Sequence, residues 1–263
     1  MRKTIFAITA AGVALTAPAH AQEAAQTPAQ VATPGPAEPA TGFDLSVGVT
    51  GTSDYRFRGL SQSNKRPALQ GTVGVTHSSG FYVGTWASTI SNYVANGSPA
   101  EVDLYGGFKK TTEGGTTFDV GLLYYWYPDS DGITSDFFEP YANVSTALGP
   151  VTAKVGGNFA WKQNALGIGA GRESAFYGYG DLSGAVGPVT LTGHVGRSFN
   201  ENYITFGTKY TDWSLTAAYT AGPATFSVGY VDTNKKLFSY PAGGGKNRDI
   251  AKAGVVASVA VAF

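Results

Sequence analysis

Across residues 43–59 the chain alternates without a break. Phe43, Leu45, Val47, Val49, Gly51, Ser53, Tyr55, Phe57 and Gly59 hold one parity; Asp44, Ser46, Gly48, Thr50, Thr52, Asp54, Arg56 and Arg58 hold the other. Every large apolar side chain falls in the first set and every charge in the second. A period of two means a β-strand whose two faces meet different surroundings. Strands of globular domains run ~3–10 residues, so a strand over 43–59 is long enough to cross a membrane and project beyond it. On this reading Tyr55 and Phe57 face lipid, while Asp54, Arg56 and Arg58 face the interior. At ~3.3 Å per residue and a tilt of ~40°, Phe43 and Tyr55 stand ~30 Å apart along the normal, which suits an apolar band with its aromatic girdles.

The same alternation recurs downstream. Val102, Leu104 and Phe108 oppose Glu101, Asp103, Tyr105 and Lys109, and Phe118, Val120, Leu122, Tyr124 and Trp126 oppose Thr117 and Asp119. Val151, Val155, Phe159 and Trp161 oppose Thr152, Lys154, Asn158 and Lys162, and Val189, Leu191 and Val195 oppose Thr190, Thr192 and His194. Two stretches are blurred: FYVGTWASTI (81–90) is apolar on both parities, and ESAFYGYGDLSG (173–184) fits either phase.

Turns alternate in length. Short ones fall at 78–80, 111–115, Gly149-Pro150, Gly187-Pro188 and Gly222-Pro223, and long polar ones at 60–66, 91–100, 128–135, 163–172, 200–203 and 233–249. The Gly-Pro turns open similar segments, ALGPVTAKVG, AVGPVTLTG and TAGPATFSVG, the signature of a hairpin repeat. Short turns at one end and long loops at the other predict an all-β fold, a transmembrane antiparallel up-and-down barrel of about twelve strands, in a range of roughly 10–14. The strands are expected near 43–59, 67–77, 81–90, 101–110, 116–127, 137–148, 151–162, 174–186, 189–199, 204–220, 224–232 and 250–263. An even count puts both termini at the short-turn, periplasmic end.

The chain ends fit an exported barrel. Arg2 and Lys3, an apolar run from Ile5 to Ala17 and Pro18-Ala19-His20-Ala21 read as a cleaved secretory signal over 1–21. Residues 22–41, almost wholly Ala, Pro, Gln and Thr, read as a disordered periplasmic tether, leaving 42–263 for the barrel. At the other end, Val255, Val259, Val261 and Phe263 share a parity, and a last strand closing on Phe resembles the sorting signal read by the barrel-assembly machinery. Loss of Arg2 and Lys3 leaves a net charge of about −2, which argues against nucleic acid as a partner. With no Cys there is neither a disulfide framework nor thiolate chemistry.

Catalytic and metal signals are thin. His77 in HSSG stands beside a short turn, and His194 faces the interior with Thr190 and Thr192; neither fixes a Ser-His-acid order. GIGAGRE (167–173) has no helix after it to make a phosphate loop, and PDSDG (128–132) lacks the remaining ligands of a calcium loop. No catalytic residue, metal or cofactor is expected. The interior charges carry more: up-and-down threading brings Arg56, Arg58 and Lys162 to the level of Glu101, Asp103 and Glu139 near the outer mouth. With Asp54, Lys154 and His194 these are the lumen or constriction candidates. Two readings stand, an ion-pair network that stiffens a narrow wall and a ring of charges that selects solutes.

SDYRFRGLSQS, PALQG, HSSGFYVGTWAS, EVDLYGG and the late YTDW together resemble the TorF family, also called Gcw_chp, across essentially the whole chain after the tether. That resemblance implies an outer-membrane β-barrel with a porin's role and transfers no catalytic or ligand residues. The expected function is passive passage of small polar solutes through a narrow, mixed-charge lumen in the outer membrane of a Gram-negative bacterium, among lipid and lipopolysaccharide. The alternatives are a non-conducting structural or surface-interaction barrel and a membrane-embedded lipid hydrolase.

Overall fold

The alternating segments become strands, and the strands close on themselves. The computed structural model describes residues 42–132, 134–240 and 245–263; the expected signal and tether lie outside them. The barrel strands are β1 (Phe43–Thr52), β4 (Ala68–His77), β5 (Phe81–Thr89), β6 (Ala100–Thr111), β7 (Thr117–Trp126), β8 (Phe137–Leu148) and β9 (Val151–Gln163). They continue with β10 (Glu173–Val186), β11 (Val189–Ser198), β12 (Tyr210–Ala221), β13 (Ala224–Thr233) and β14 (Gly254–Ala262). Each pairs antiparallel with its neighbours in chain order, and β14 returns to β1 with Thr52 opposite Ser258. Closure leaves no unpaired sheet edge, a condition that lipid imposes on any strand-built membrane protein.

The faces sort as the parity predicts. Leu45, Val83, Leu122, Val155, Leu182, Leu215 and Val255 stand exposed on the outside, an apolar belt suited to hydrocarbon. Glu101, Asp103, Asp119, Asn158 and Thr216 are buried on the inside. Gly149, Gly187 and Gly222 hold positive φ at the first centre of their two-residue turns, where a II′ hairpin requires it. Both ends of the described chain lie at the short-turn end: Phe43 pairs with His77, and the Ala262 amide donates to the Pro223 carbonyl.

The first strand departs from the sequence expectation. β1 stops at Thr52, and the chain turns inward to form a small hairpin, β2 (Arg56–Phe57) and β3 (Leu60–Ser61), inside the barrel. Tyr55 is therefore buried and hydrogen-bonded to Glu101 instead of facing lipid, and Phe57 packs edge-on against Tyr125. A hairpin keeps the period of two, so the parity runs on unbroken through a change of element. Two further boundaries contract at the long-loop end: β12 begins at Tyr210 and not near 204, and β14 at Gly254 and not near 250.

Tyrosines fill the two blurred stretches and line the wall. Tyr82 faces Gly107, Tyr105 faces Gly84, Tyr141 faces Gly121 and Tyr179 faces Gly156 in directly opposed cross-strand pairs. Each ring lies across the glycine opposite, where a Cβ would come within 2.2–2.4 Å of the phenol oxygen. The missing side chain makes room for the ring and lets the sheet curve under it. Gly156→Val should therefore lower the stability of the folded barrel by about 1–3 kcal/mol. Gly193→Val, at a position with open space, should change it by less than ~0.5 kcal/mol. Urea unfolding in detergent micelles, read by the gel shift between folded and unfolded barrel, checks this; equal losses for both would contradict it.

Candidate functional site

The hairpin within residues 53–67 sits in the half of the lumen nearest the long loops. Its two-residue turn is Arg58-Gly59, with φ of 49° and 78°, the pair of positive values that a I′ turn needs. Gly59 meets this requirement freely and presses so close to Asp212 that a Cβ would lie 2.7 Å from the Asp212 Cβ. Arg58 meets it as an L-residue in a region that favours glycine.

Arg56 and Asp54 brace the hairpin from within. The Arg56 Nε donates to Asp54 Oδ2 at 2.6 Å, and its Nη1 donates to the carbonyls of Gly59 at 2.9 Å and Ile250 at 3.1 Å. Asp54 Oδ1 accepts from Ser61 Oγ at 2.5 Å and Ser63 Oγ at 3.1 Å. The base is tied to two loops: the Ser61 amide donates to the Ile250 carbonyl, Tyr93 Oη donates to the Ser61 carbonyl, and Asn64 bonds to Lys246 and Ser239. Burial pushes the Tyr93 phenol up, and burial followed by the Arg56 charge lowers Lys65.

Arg58 carries the tip across the lumen. Its Nη2 donates to Glu139 Oε2 at 2.6 Å, and its guanidinium lies 4.6 Å from the Phe57 ring centroid and 4.5 Å from that of Tyr177. The same Glu139 oxygen accepts from Tyr125 Oη at 3.1 Å and Asn158 Nδ2 at 3.2 Å, while Oε1 has no partner among the described residues. Glu101 accepts from Tyr55 Oη at 3.0 Å. Asp103 is fully buried, and neither of its carboxylate oxygens has a hydrogen-bond partner among the described residues.

The remaining candidates divide. His194 faces Asp181 through Nδ1 at 2.6 Å and Asp212 through Nε2 at 3.2 Å, with Tyr177 Oη 2.9 Å from Nε2. Among the described residues its side-chain hydrogen-bond partners are two carboxylates and a phenol. Lys154 lies over the Tyr179 ring at 5.6 Å in the short-turn half. Lys162, expected in the lumen, is exposed outside the network. The register slips between Glu173 and Ala175, so β9 carries an extra residue opposite β10; Gln163, not Lys162, turns inward there. His77 bonds to Ser79 at 2.7 Å in the exposed short turn.

Sequence reasoning missed Tyr125, Tyr177 and Asp212 as site residues, and placed Tyr55 and Phe57 on the wrong face. The signal was available: Tyr177 shares the parity of Asp181, and Tyr125 that of Asp119 and Glu139's cross-strand partner Leu123.

The hairpin is packed tightly into the lumen. Tyr55, Arg56, Arg58, Leu60 and Ser61 are all at most 3 % exposed. A gap between Phe57, Gln62, Glu101 and Tyr127 holds about 20 Å³, room for roughly one water. Above it the loops enclose a recess of about 620 Å³ lined by Tyr93, Asn96, Asp131, Tyr203, Phe206 and Tyr240.

Residues 36–263 match the sequence profile of Gcw_chp, described as a bacterial protein family of unknown function. The chain belongs to this family. No curated protein is significantly similar to it in sequence. Among solved structures, the KdgM porin in complex with disordered oligogalacturonate aligns with a TM-score of 0.55 at 7 % identity, over 83 % of this chain and 99 % of its own. The NanC porin aligns with a TM-score of 0.53 at 13 % identity, over 84 % and 99 %. This member of Gcw_chp therefore has the fold of an outer-membrane porin barrel, with β2 and β3 folded inside it.

Removing Glu139 strands a buried guanidinium. Glu139→Gln should destabilise the barrel by about 3–5 kcal/mol. Combination with Arg58→Ala should cost less than the two single losses together, by about 2–3 kcal/mol. A double-mutant cycle on urea unfolding in micelles measures the coupling, and additive losses would show that the pair is not an interacting unit.

Proposed function

We propose that this protein is an outer-membrane channel for small polar solutes whose route through the lumen is closed by the hairpin of residues 53–67. In this reading the long loops face the cell exterior, and the termini with the tether lie in the periplasm. One observation carries the proposal: a closed barrel with charged side chains along its interior has a separate short element, the hairpin, folded into it. Toward the short turns the interior carries Lys109, Asp119, Lys154, Asp181 and His194 among the rings of Tyr82, Tyr105, Tyr141 and Tyr179. Toward the long loops the hairpin between β1 and β4 fills the lumen, with Val94, Ala95 and Ile204 of two other loops packed beside it. Porin-fold likeness supports the class. No enzymatic step is assigned.

A second reading, a permanently plugged barrel with a structural or surface role, is favoured by how firmly Arg56 anchors the hairpin to the residues before β14. The two are separable because Thr52 and Ala68 are cross-strand Cα partners, so a two-residue turn can join them. Replacing residues 53–67 with Asn-Gly should give a steady single-channel conductance in planar bilayers, several-fold above that of the unaltered protein. If the replacement folds yet conducts no better than an empty bilayer, the channel reading is wrong.

A further inference from the structure

Taking the channel reading as its basis, we infer that the pocket around Arg58 is a recognition site for solutes bearing a guanidinium group, and that the hairpin's own arginine occupies it in the closed state. Arg58 is held as a bound cation would be. A carboxylate meets it at 2.6 Å from one side, and two aromatic faces lie 4.5 and 4.6 Å from its planar carbon. Planar donors against a carboxylate, stacked between rings, are what guanidinium recognition uses. Phe57 belongs to the hairpin, but Glu139, Tyr125 and Tyr177 belong to the wall and stay behind when the hairpin leaves.

The wall also offers more acceptors than one arginine uses. Among the described residues neither oxygen of the buried Asp103 has a hydrogen-bond partner, nor does Glu139 Oε1. Glu101 and Glu139 both lie within electrostatic reach of Asp103. Across the lumen, Asp212 lies against Gly59. Arg56 is consumed by Asp54 and backbone carbonyls, so Arg58 is the one guanidinium given to this acidic wall.

The backbone points the same way. Position 58 has a φ of 49° at the centre of a I′ turn, where Asn, Asp or Gly is the usual occupant. A residue kept in a disfavoured conformation at a lumen contact marks a local demand for its side chain. Withdrawing Arg58 without replacement would leave a buried carboxylate cluster uncompensated. A guanidinium-bearing solute supplies the missing charge, so its entry and the hairpin's departure are one exchange.

Arg58→Gly in the full chain tests the pocket, since glycine suits that turn. Isothermal titration of the folded variant in micelles with millimolar guanidinium chloride should show saturable binding. The unaltered protein should bind at least tenfold more weakly, urea as the neutral planar probe should not bind, and Glu139→Gln added to Arg58→Gly should abolish the signal. Equal affinity in variant and unaltered protein, or binding indifferent to Glu139→Gln, would overturn the inference. If Arg58→Gly does not fold, the Asn-Gly replacement of residues 53–67 serves: it should be cation-selective in a KCl gradient, with its potassium current blocked by millimolar guanidinium. A replacement that conducts without cation preference or block sinks this inference and leaves the channel standing. One that folds and does not conduct sinks the channel, and titration of that replacement with guanidinium chloride then decides the pocket, absence of saturable binding overturning it.

Discussion

A guanidinium taken out of water must be met by a carboxylate or a full set of carbonyls, because stranding it costs several kcal/mol. Two such groups, Arg56 and Arg58, are buried within three positions of each other, and the long-loop half of the barrel is arranged around that demand. Asp54 precedes Arg56 by two residues and pairs with it, while Ser61 and Ser63 occupy the remaining Asp54 oxygen. Arg58 has no carboxylate partner within the hairpin. It reaches Glu139 on β8, 81 positions away, and the hairpin is thereby fixed across the lumen.

The wall that receives the hairpin follows from a second constraint, packing a sheet that closes tightly. Four large rings fit inside the barrel where the opposed strand gives up its side chain, in the Tyr–Gly pairs at 82/107, 105/84, 141/121 and 179/156. The phenols then need acceptors. Tyr82 finds Asp119, Tyr125 finds Glu139, Tyr55 finds Glu101 and Tyr177 finds Asp212. Carboxylates in the interior thus serve the tyrosines as well as the arginines, and Asp103, which serves neither, stands out.

Most of the barrel was legible because a period of two is a local signal. The Gly-Pro turns, the switch of loop length and the lipid-facing sets needed nothing beyond neighbouring residues. Where the reading failed, the missing information was non-local. A strand and a hairpin share the same period, so nothing in the alternation of Tyr55, Arg56, Phe57 and Arg58 tells lipid from lumen. The Arg-Gly pair between RF and LS was the one turn signal available, and its two short arms hid it. Lys162 kept its parity in the sequence and lost it in the fold, because a bulge is a property of two paired strands. Up-and-down threading did set Arg58 and Glu139 at one level, but no pattern in either segment names the other as partner.

The proposed function thus turns on a short element. A porin-fold barrel holds inside it a hairpin whose charges the alternation alone assigns to the wall. The most direct test is the accessibility of the hairpin itself, since the chain has no native Cys. A single cysteine at Leu60, 0 % exposed at the inner arm of the hairpin, is compared with one at Tyr240, 72 % exposed in the outer loops. In the folded barrel a charged maleimide should label the Tyr240→Cys protein readily and the Leu60→Cys protein only after unfolding. Equal labelling of the two folded proteins would show that residues 53–67 do not lie inside the lumen.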